Sequence, residues 1–390
     1  MRATSRWLPM LLGFLTATGP LSTDMYLPAF PAIEASFGEP AGTAQITLAT
    51  WFVGLAVGQI AQGTLSDRFG RRLPLLIGTV VYTLASAGCA LSPDLLTLSV
   101  MRALAAFGGS ASMVIPRAIV RDLADGHAAA HLMSRLMLVM GVAPILAPTL
   151  GGLVLGFGSW HLIFWICTGY GAVCSVVVWR ALPDTMASHL RMRLGVAGLL
   201  SRYWGIVRER GFLTHVGMAS FAMFGTFAYI GGSPPVYIQM FHLSPAHYGM
   251  IFGLCAAGFI AGSQINPRIL PRFGSNRVIH GGIAVSVLAT AALLVFSITR
   301  FGGIWGIVLP IFAAMTSMGF ITPNAAVGAL SRHPNHAGSA SALMGTLQFS
   351  LAAVSGTMIG LLTDGTPRPM AAMMLAGAVG AAVCDALRPK

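Results

Sequence analysis

Stretches of about 20 apolar residues, the length a helix needs to cross the hydrocarbon core of a bilayer, recur along the whole chain. Twelve can be drawn, at residues 8–30, 43–65, 73–92, 95–117, 132–156, 160–181, 212–233, 245–266, 277–299, 303–325, 338–363 and 369–387. In lipid a segment must satisfy its own backbone hydrogen bonds, so each is predicted to be a helix and the fold class is an all-α integral membrane protein. Composition agrees. Of 390 residues, 55% are hydrophobic and 9% charged, where a soluble domain carries about 25% charged residues. Soluble enzymes, nucleic-acid readers and disordered scaffolds are excluded, because the charge that would solvate such a surface is missing.

The net charge of +12 comes from arginines in short clusters between the apolar runs. With the N-terminus inside, all but Arg102, Arg300 and Arg368 of the 23 basic residues fall on the inner side, which is the bias that sets topology in a cytoplasmic membrane. Both termini are expected to be cytoplasmic. Arg2 and Arg6 precede the first run as in a signal peptide, but the run continues to about Phe30 without a small-residue cleavage site, so it reads as a retained span. Cys89, Cys167, Cys174, Cys255 and Cys384 stand singly in apolar surroundings and read as packing residues, with no metal or disulfide spacing.

The longest polar stretch, 183–211, is Arg-rich and divides six spans from six. It predicts two bundles, 1–182 and 212–390, joined by a cytoplasmic linker. A repeat supports the division: Gly63-Thr64-Leu65-Ser66-Asp67-Arg68-Phe69-Gly70-Arg71-Arg72 follows span two. Gly262 to Asn266 and then Arg272-Phe273-Gly274-Ser275-Asn276-Arg277 follow span eight. Two similar bundles with a site between them near the midplane form a recurrent transporter plan.

The run from Gly63 to Leu75, GTLSDRFGRRLPL, resembles the loop signature of the major facilitator superfamily. The resemblance implies twelve helices in two six-helix bundles. It also implies a cytoplasmic gate in which Gly70 makes the turn and Asp67 accepts from helix amides or pairs with Arg117 or Arg121. Arg68, Arg71 and Arg72 read as part of that gate or as positive-inside anchors. Span five carries Gly141-Val142-Ala143-Pro144-Ile145-Leu146-Ala147-Pro148-Thr149-Leu150-Gly151-Gly152, similar to the signature of proton-coupled antiporters in that superfamily, with Ala147 in place of its glycine. Pro144 and Pro148 would bend the helix, and Gly151 and Gly152 would allow close approach. Span one ends Thr23-Asp24-Met25-Tyr26-Leu27-Pro28-Ala29-Phe30-Pro31, which looks like the bicyclomycin-resistance (Bcr/CflA) drug exporters. Span four, from Arg102 to Ala111, resembles their proton-site pattern, departing from it at Ala105.

Asp24 and Arg102 are the two formally charged residues well inside spans, and each costs at least ~2.5 kcal/mol at a helix centre. Both fall ~10 Å below the outer surface at a rise of ~1.5 Å per residue, so they are expected to pair or to share a cavity. A carboxylate can be neutralised by a proton whereas arginine stays charged. Asp24 is therefore the candidate proton carrier and Arg102 its tuner, with a static ion pair between helices as the alternative. Glu34, at the outer interface, is a second proton candidate or an ordinary solvated acid. The substrate cavity is expected to use Tyr26, Trp51, Gln59, Met113, Met137, Phe224, Tyr229, Asn324, Met344 and Gln348, each of which could instead be packing. Asn324 and Gln348 are the strongest, since an amide inside a span needs a partner or water.

No phosphate-binding loop exists and Lys390 is the only lysine, which removes an ATP-driven pump. His333 and His336 have no acidic partner in their loop, so neither an enzyme nor a metal or cofactor site is expected. The expected function is a proton-coupled multidrug antiporter of the bacterial inner membrane. It would act as a monomer and export bicyclomycin, sulfonamide or chloramphenicol-type compounds; its partners would be substrate, protons and the lipid bilayer, not nucleic acid. A proton symporter importing a small metabolite is the alternative.

Overall fold

The computed structural model describes residues 8–123, 142–143, 146–186, 196–333 and 337–389. Met137 and Pro144 lie outside these residues, as does the side chain of Arg121. The described part is helical throughout, with nine helices long and apolar enough to cross a membrane. One of these, α11 (Pro245–Thr299), is two spans joined through Gly274, where the backbone leaves helical values at φ 75, ψ 156. This is a multi-pass membrane protein.

The first span is not one helix. It is built from α1 (Leu8–Thr16), α2 (Thr18–Asp24), a 3-10 turn at Leu27–Ala29 and α3 (Phe30–Phe37). Pro28 and Pro31 supply no amide hydrogen, so the regular ladder cannot run through them. The helix therefore breaks directly after Asp24 and resumes at Phe30, running on to Phe37, seven residues past the expected end of the span. The rest of this half is α4 (Gln45–Phe69), α5 (Arg72–Ala90), α6 (Leu95–Leu123), α7 (Leu146–Phe157) and α8 (His161–Ala181). The other half has α10 (Arg210–Pro234), which continues as a π-helical turn at Pro235–Met240. It then has α11, α12 (Gly303–Leu330), α13 (Ala337–Leu362) and α14 (Arg368–Ala386). Between the halves the polar stretch forms one further helix, α9 (Val196–Val207).

Small residues set the helix spacing in each half in corresponding ways. In the first, Gly78 of α5 and Gly108 of α6 lie backbone to backbone, so that a Cβ on Gly108 would stand 2.6 Å from the Gly78 carbonyl oxygen. In the second, Gly262 of α11 and Gly319 of α12 meet in the same way, with a Cβ on Gly319 2.5 Å from Ser263 N. Without a hydrophobic drive between helices in lipid, such close packing is what holds them together.

Contact between the halves runs along α4 and α13. Gln45 Nε2 donates to Gly231 O (3.2 Å) and Thr346 Oγ1 donates to Ala56 O (3.0 Å). On the side opposite α9, hereafter the far side, Gly152 of α7 packs on the Pro245 carbonyl, and a Cβ on Gly249 would fall 2.6 Å from Thr149 Cα. Among the described residues, these backbone contacts bring the two halves together on the far side.

Candidate functional site

The break in span one delivers Asp24 to a cavity of about 300 Å³ between the two halves. Its walls are apolar and aromatic, from Phe52, Phe227, Phe252, Phe259, Phe349, Met113, Met223, Met315, Met318 and Met344. The polar groups are few: Thr23, Asp24, Gln59, Arg117, Thr226, Tyr229, Thr322, Ser341 and Gln348. Among the described residues, Asp24 is the only acid in this lining, and the buried Tyr229 hydroxyl has no hydrogen-bond partner. Such a surface suits an amphipathic molecule with a few polar groups, since apolar contact supplies the area and the isolated polar groups set orientation.

The cavity extends toward the linker side. A second pocket of about 410 Å³ shares Gln59, Arg117, Ser341 and Met344 with it and reaches Gly63, Asp67, Leu330 and Tyr203. The cavity lining is therefore continuous with a pocket on the linker side.

Arg102 is not Asp24's partner. Shared depth was the basis of that expectation, but the two side chains face different directions. Arg102 is 2% exposed and its Nη1 donates to Ser22 O at 2.8 Å. Its Cζ lies 4.0 Å from the Tyr26 ring centroid, 4.2 Å from Trp51 and 5.8 Å from Phe164. Among the described residues its Nε and Nη2 have no hydrogen-bond partner, so aromatic quadrupoles take the place of an anion. By fixing the carbonyl of Ser22, two residues before Asp24, Arg102 holds the end of α2 in place. Tyr82 assists, its hydroxyl 2.5 Å from Ser22 Oγ.

Four other expected cavity residues also lie elsewhere. Tyr26 and Trp51 form the box around Arg102. Phe224 is buried in the core of the second half, its carbonyl accepting from Ser355 Oγ at 2.8 Å. Asn324 has the partner an intramembrane amide requires, since its Nδ2 donates to Asn266 Oδ1 at 2.8 Å and pins α12 to α11. Glu34 is neither solvated nor in the cavity: it is 4% exposed, and its Oε1 accepts from Gly42 N (2.8 Å) and Ala44 N (3.1 Å). It ties the end of α3 to the start of α4.

The motif at the α4–α5 junction forms a charge cluster centred on Arg71. Arg71 Nη1 donates to Asp67 Oδ1 (2.6 Å) and Ser66 Oγ (3.0 Å); Nε donates to Asp122 Oδ2 (2.7 Å) and Nη2 to Asp122 Oδ1 (3.2 Å). The Arg71 amide donates to Asp184 Oδ1 at 2.9 Å. Gly70, at φ 91, lets Asp184 come up against its α-carbon. Arg72 donates to the Trp179 carbonyl, while Arg68 lies over the Phe69 ring at 5.5 Å. Among the described residues Asp67 pairs with Arg71, and the acids of this cluster come from α4, α6 and the chain after α8. In α7, Gly151 abuts the Met25 carbonyl at the break in span one, while Pro148 and Gly152 meet the other half at Gly249 and Pro245.

Sequence reasoning did not single out Phe52, Phe227, Phe252, Phe259, Met315 and Met318 for the cavity, nor Arg117, which it assigned to the gate. No local signal marks them, because these helices are apolar on every side.

Residues 12–357 match the family model of the Major Facilitator Superfamily. The chain is 34% identical over 374 residues to the Uncharacterized MFS-type transporter YdgK of Bacillus subtilis (strain 168), spanning 95% of this chain and 92% of that one. It is 27% identical to the Bicyclomycin resistance protein homolog of Haemophilus influenzae, over 93% of this chain and 90% of that one. A bacterial homolog of the human lysosomal transporter Spinster superposes with a TM-score of 0.74 at 14% identity, covering 100% of this chain and 97% of that one.

Proposed function

The chain belongs to the major facilitator superfamily, and on that premise we propose that it exports small amphipathic antibiotics in exchange for protons by alternating access. It is a transporter and not an enzyme. The observation that carries the proposal is the cavity: Asp24 as its one carboxylate among the described residues, set in a wall of phenylalanines and methionines. The resemblance of the first span and the bicyclomycin-resistance relative agree with antibiotic export of the bicyclomycin, sulfonamide or chloramphenicol type.

In this reading a substrate enters from the linker side, the cytoplasmic face of a bacterial inner membrane, and occupies the cavity while Asp24 is charged. When the far side opens, a proton neutralises Asp24 and the substrate leaves. Competition of this kind requires only that protonation changes substrate affinity, and by linkage substrate then changes proton affinity equally. Arg102 acts as a positioning residue, holding α2 through Ser22 O. Gly151 touches the Met25 carbonyl beside Asp24 and Gly152 touches the opposite half, so α7 couples the site to far-side closure. The protein works as a monomer with both termini in the cytoplasm.

The test is transport in proteoliposomes under an imposed pH gradient, with chloramphenicol, a sulfonamide and bicyclomycin as substrates. Antiport predicts that the antibiotic accumulates in the more acidic compartment, moving against the protons. Accumulation in the alkaline compartment, or of a small metabolite alone, would establish symport.

A further inference from the structure

The helix between the two halves is not needed to span anything. α9 (Val196–Val207) has 12 residues, where a crossing helix needs about 20. One face packs onto the protein: Tyr203, Ile206 and Val207 join Phe212, Val216, Ala329 and Leu343 in a small apolar cluster. Those partners are the linker-side ends of α10, α12 and α13, so α9 lies at the level where the spans end.

Its other face carries Leu200, Trp204 and Arg208, four residues apart and therefore on one stripe. Leu200 is 62% and Trp204 59% exposed, and the Arg208 guanidinium lies 4.6 Å from the Trp204 ring. Large apolar side chains beside a cation are the composition of a helix lying in a membrane interface, where tryptophan sits among headgroups and arginine reaches phosphate. The charge of the segment is one-sided. Between Thr185 and Gly211 it carries Arg191, Arg193, Arg202, Arg208 and Arg210 against a single acid, Glu209, which is taken by Arg332 Nη1 at 2.9 Å.

We propose that α9 docks on the anionic headgroup layer of the surrounding bilayer through Leu200, Trp204 and Arg208. The consequence reaches the transport path. Tyr203, on the inward face of the same helix, lines the pocket at the cavity mouth together with Gly63, Asp67 and Arg117. A helix held by lipid thus holds Tyr203 at the mouth, and a membrane poor in anionic lipid releases it. Basic juxtamembrane segments are drawn to an anionic surface in proportion to the arginines near it, and this stripe carries one arginine with others flanking it.

The experiment uses the full-length protein in nanodiscs that contain acyl-brominated phosphatidylglycerol or acyl-brominated phosphatidylcholine at equal mole fraction. Subtracting the fluorescence of Trp204→Phe isolates Trp204 from the other six tryptophans. The expected result is at least twofold stronger quenching of Trp204 by the brominated phosphatidylglycerol, with the preference lost in Arg208→Gln while some quenching by both lipids remains. Arg208→Gln keeps every tryptophan, so its loss of preference is readable even if Trp204→Phe fails to fold. Trp204 unquenched by either lipid, or quenched equally by both in the unaltered protein, would overturn the proposal. None of these readouts depends on transport.

Discussion

Arg-Phe-Gly occurs at Arg68-Phe69-Gly70, at Arg272-Phe273-Gly274 and at Arg300-Phe301-Gly302, and the first two, each at the linker-side end of a helix pair, behave differently. Both glycines sit between consecutive spans with positive φ and extended ψ, at 91 and 176 for Gly70 and 75 and 156 for Gly274. The backbone repeats. The side chains do not, because Asp67 and Arg71 of the first copy correspond to Pro271 and Ser275 in the second. Around Gly70 the buried Arg71 guanidinium gathers Asp67 and Asp122, and the Arg71 amide takes a third acid, Asp184. Around Gly274 a Cβ would meet nothing within 4 Å, and among the described residues no ion pair involves Arg268, Arg272 or Arg277. A shared turn can therefore be a lock in one half and a plain hinge in the other, depending on whether acids are supplied to it.

The largest expected effect comes from removing the centre of the lock. Arg71→Ala removes the guanidinium that Asp122 and Asp67 share, and breaking a largely buried pair from one side costs about 3–5 kcal/mol; the exposure of Asp67 places this case near the lower end. Thermal unfolding in detergent should show a clear drop in apparent Tm. An unchanged Tm would mean that the lock contributes nothing to the fold.

Next in size is the pair of glycine substitutions. Gly70→Ala and Gly274→Ala both force a side chain into a backbone region that glycine alone adopts readily, at about 1–3 kcal/mol each. Gly70→Ala also drives its methyl into Asp184, so its apparent Tm should fall further. Equal losses, or a larger loss at Gly274, would break the comparison. The smallest effect is expected from Ser275→Arg, which restores the missing cation to the second copy without acids to receive it. Stability should stay within about 0.5 kcal/mol of the parent, and a marked gain would reveal an acid that this half supplies to the turn.

The same contrast explains what could be read in advance. Spans, loops and the α4–α5 motif are patterns along the chain, and they were legible as such. Depth was legible too: Asp24 and Arg102 both lie deep between the helices. Direction around each helix was not. Gln59, Met113, Tyr229, Met344 and Gln348 face the cavity, but Tyr26 and Trp51 turn toward Arg102 and Phe224 and Asn324 into the packing of their own half. In a helix apolar on all sides no stripe marks the face that looks inward. The ring box around Arg102 has even less of a signature, because three aromatic residues from α4, α8 and the broken first span meet there only in three dimensions. The helix at Val196–Val207 escaped notice for another reason, as arginines interrupt an apolar stripe too short to read as a span.

Competition between substrate and proton at Asp24 is the centre of the proposed transport cycle. The most direct measurement is proton release from purified, weakly buffered protein on addition of chloramphenicol or bicyclomycin, compared with Asp24→Asn. Release by the unaltered protein that disappears in a folded Asp24→Asn variant is the predicted result. Undiminished release from Asp24→Asn, or proton uptake when the antibiotic binds, would contradict it.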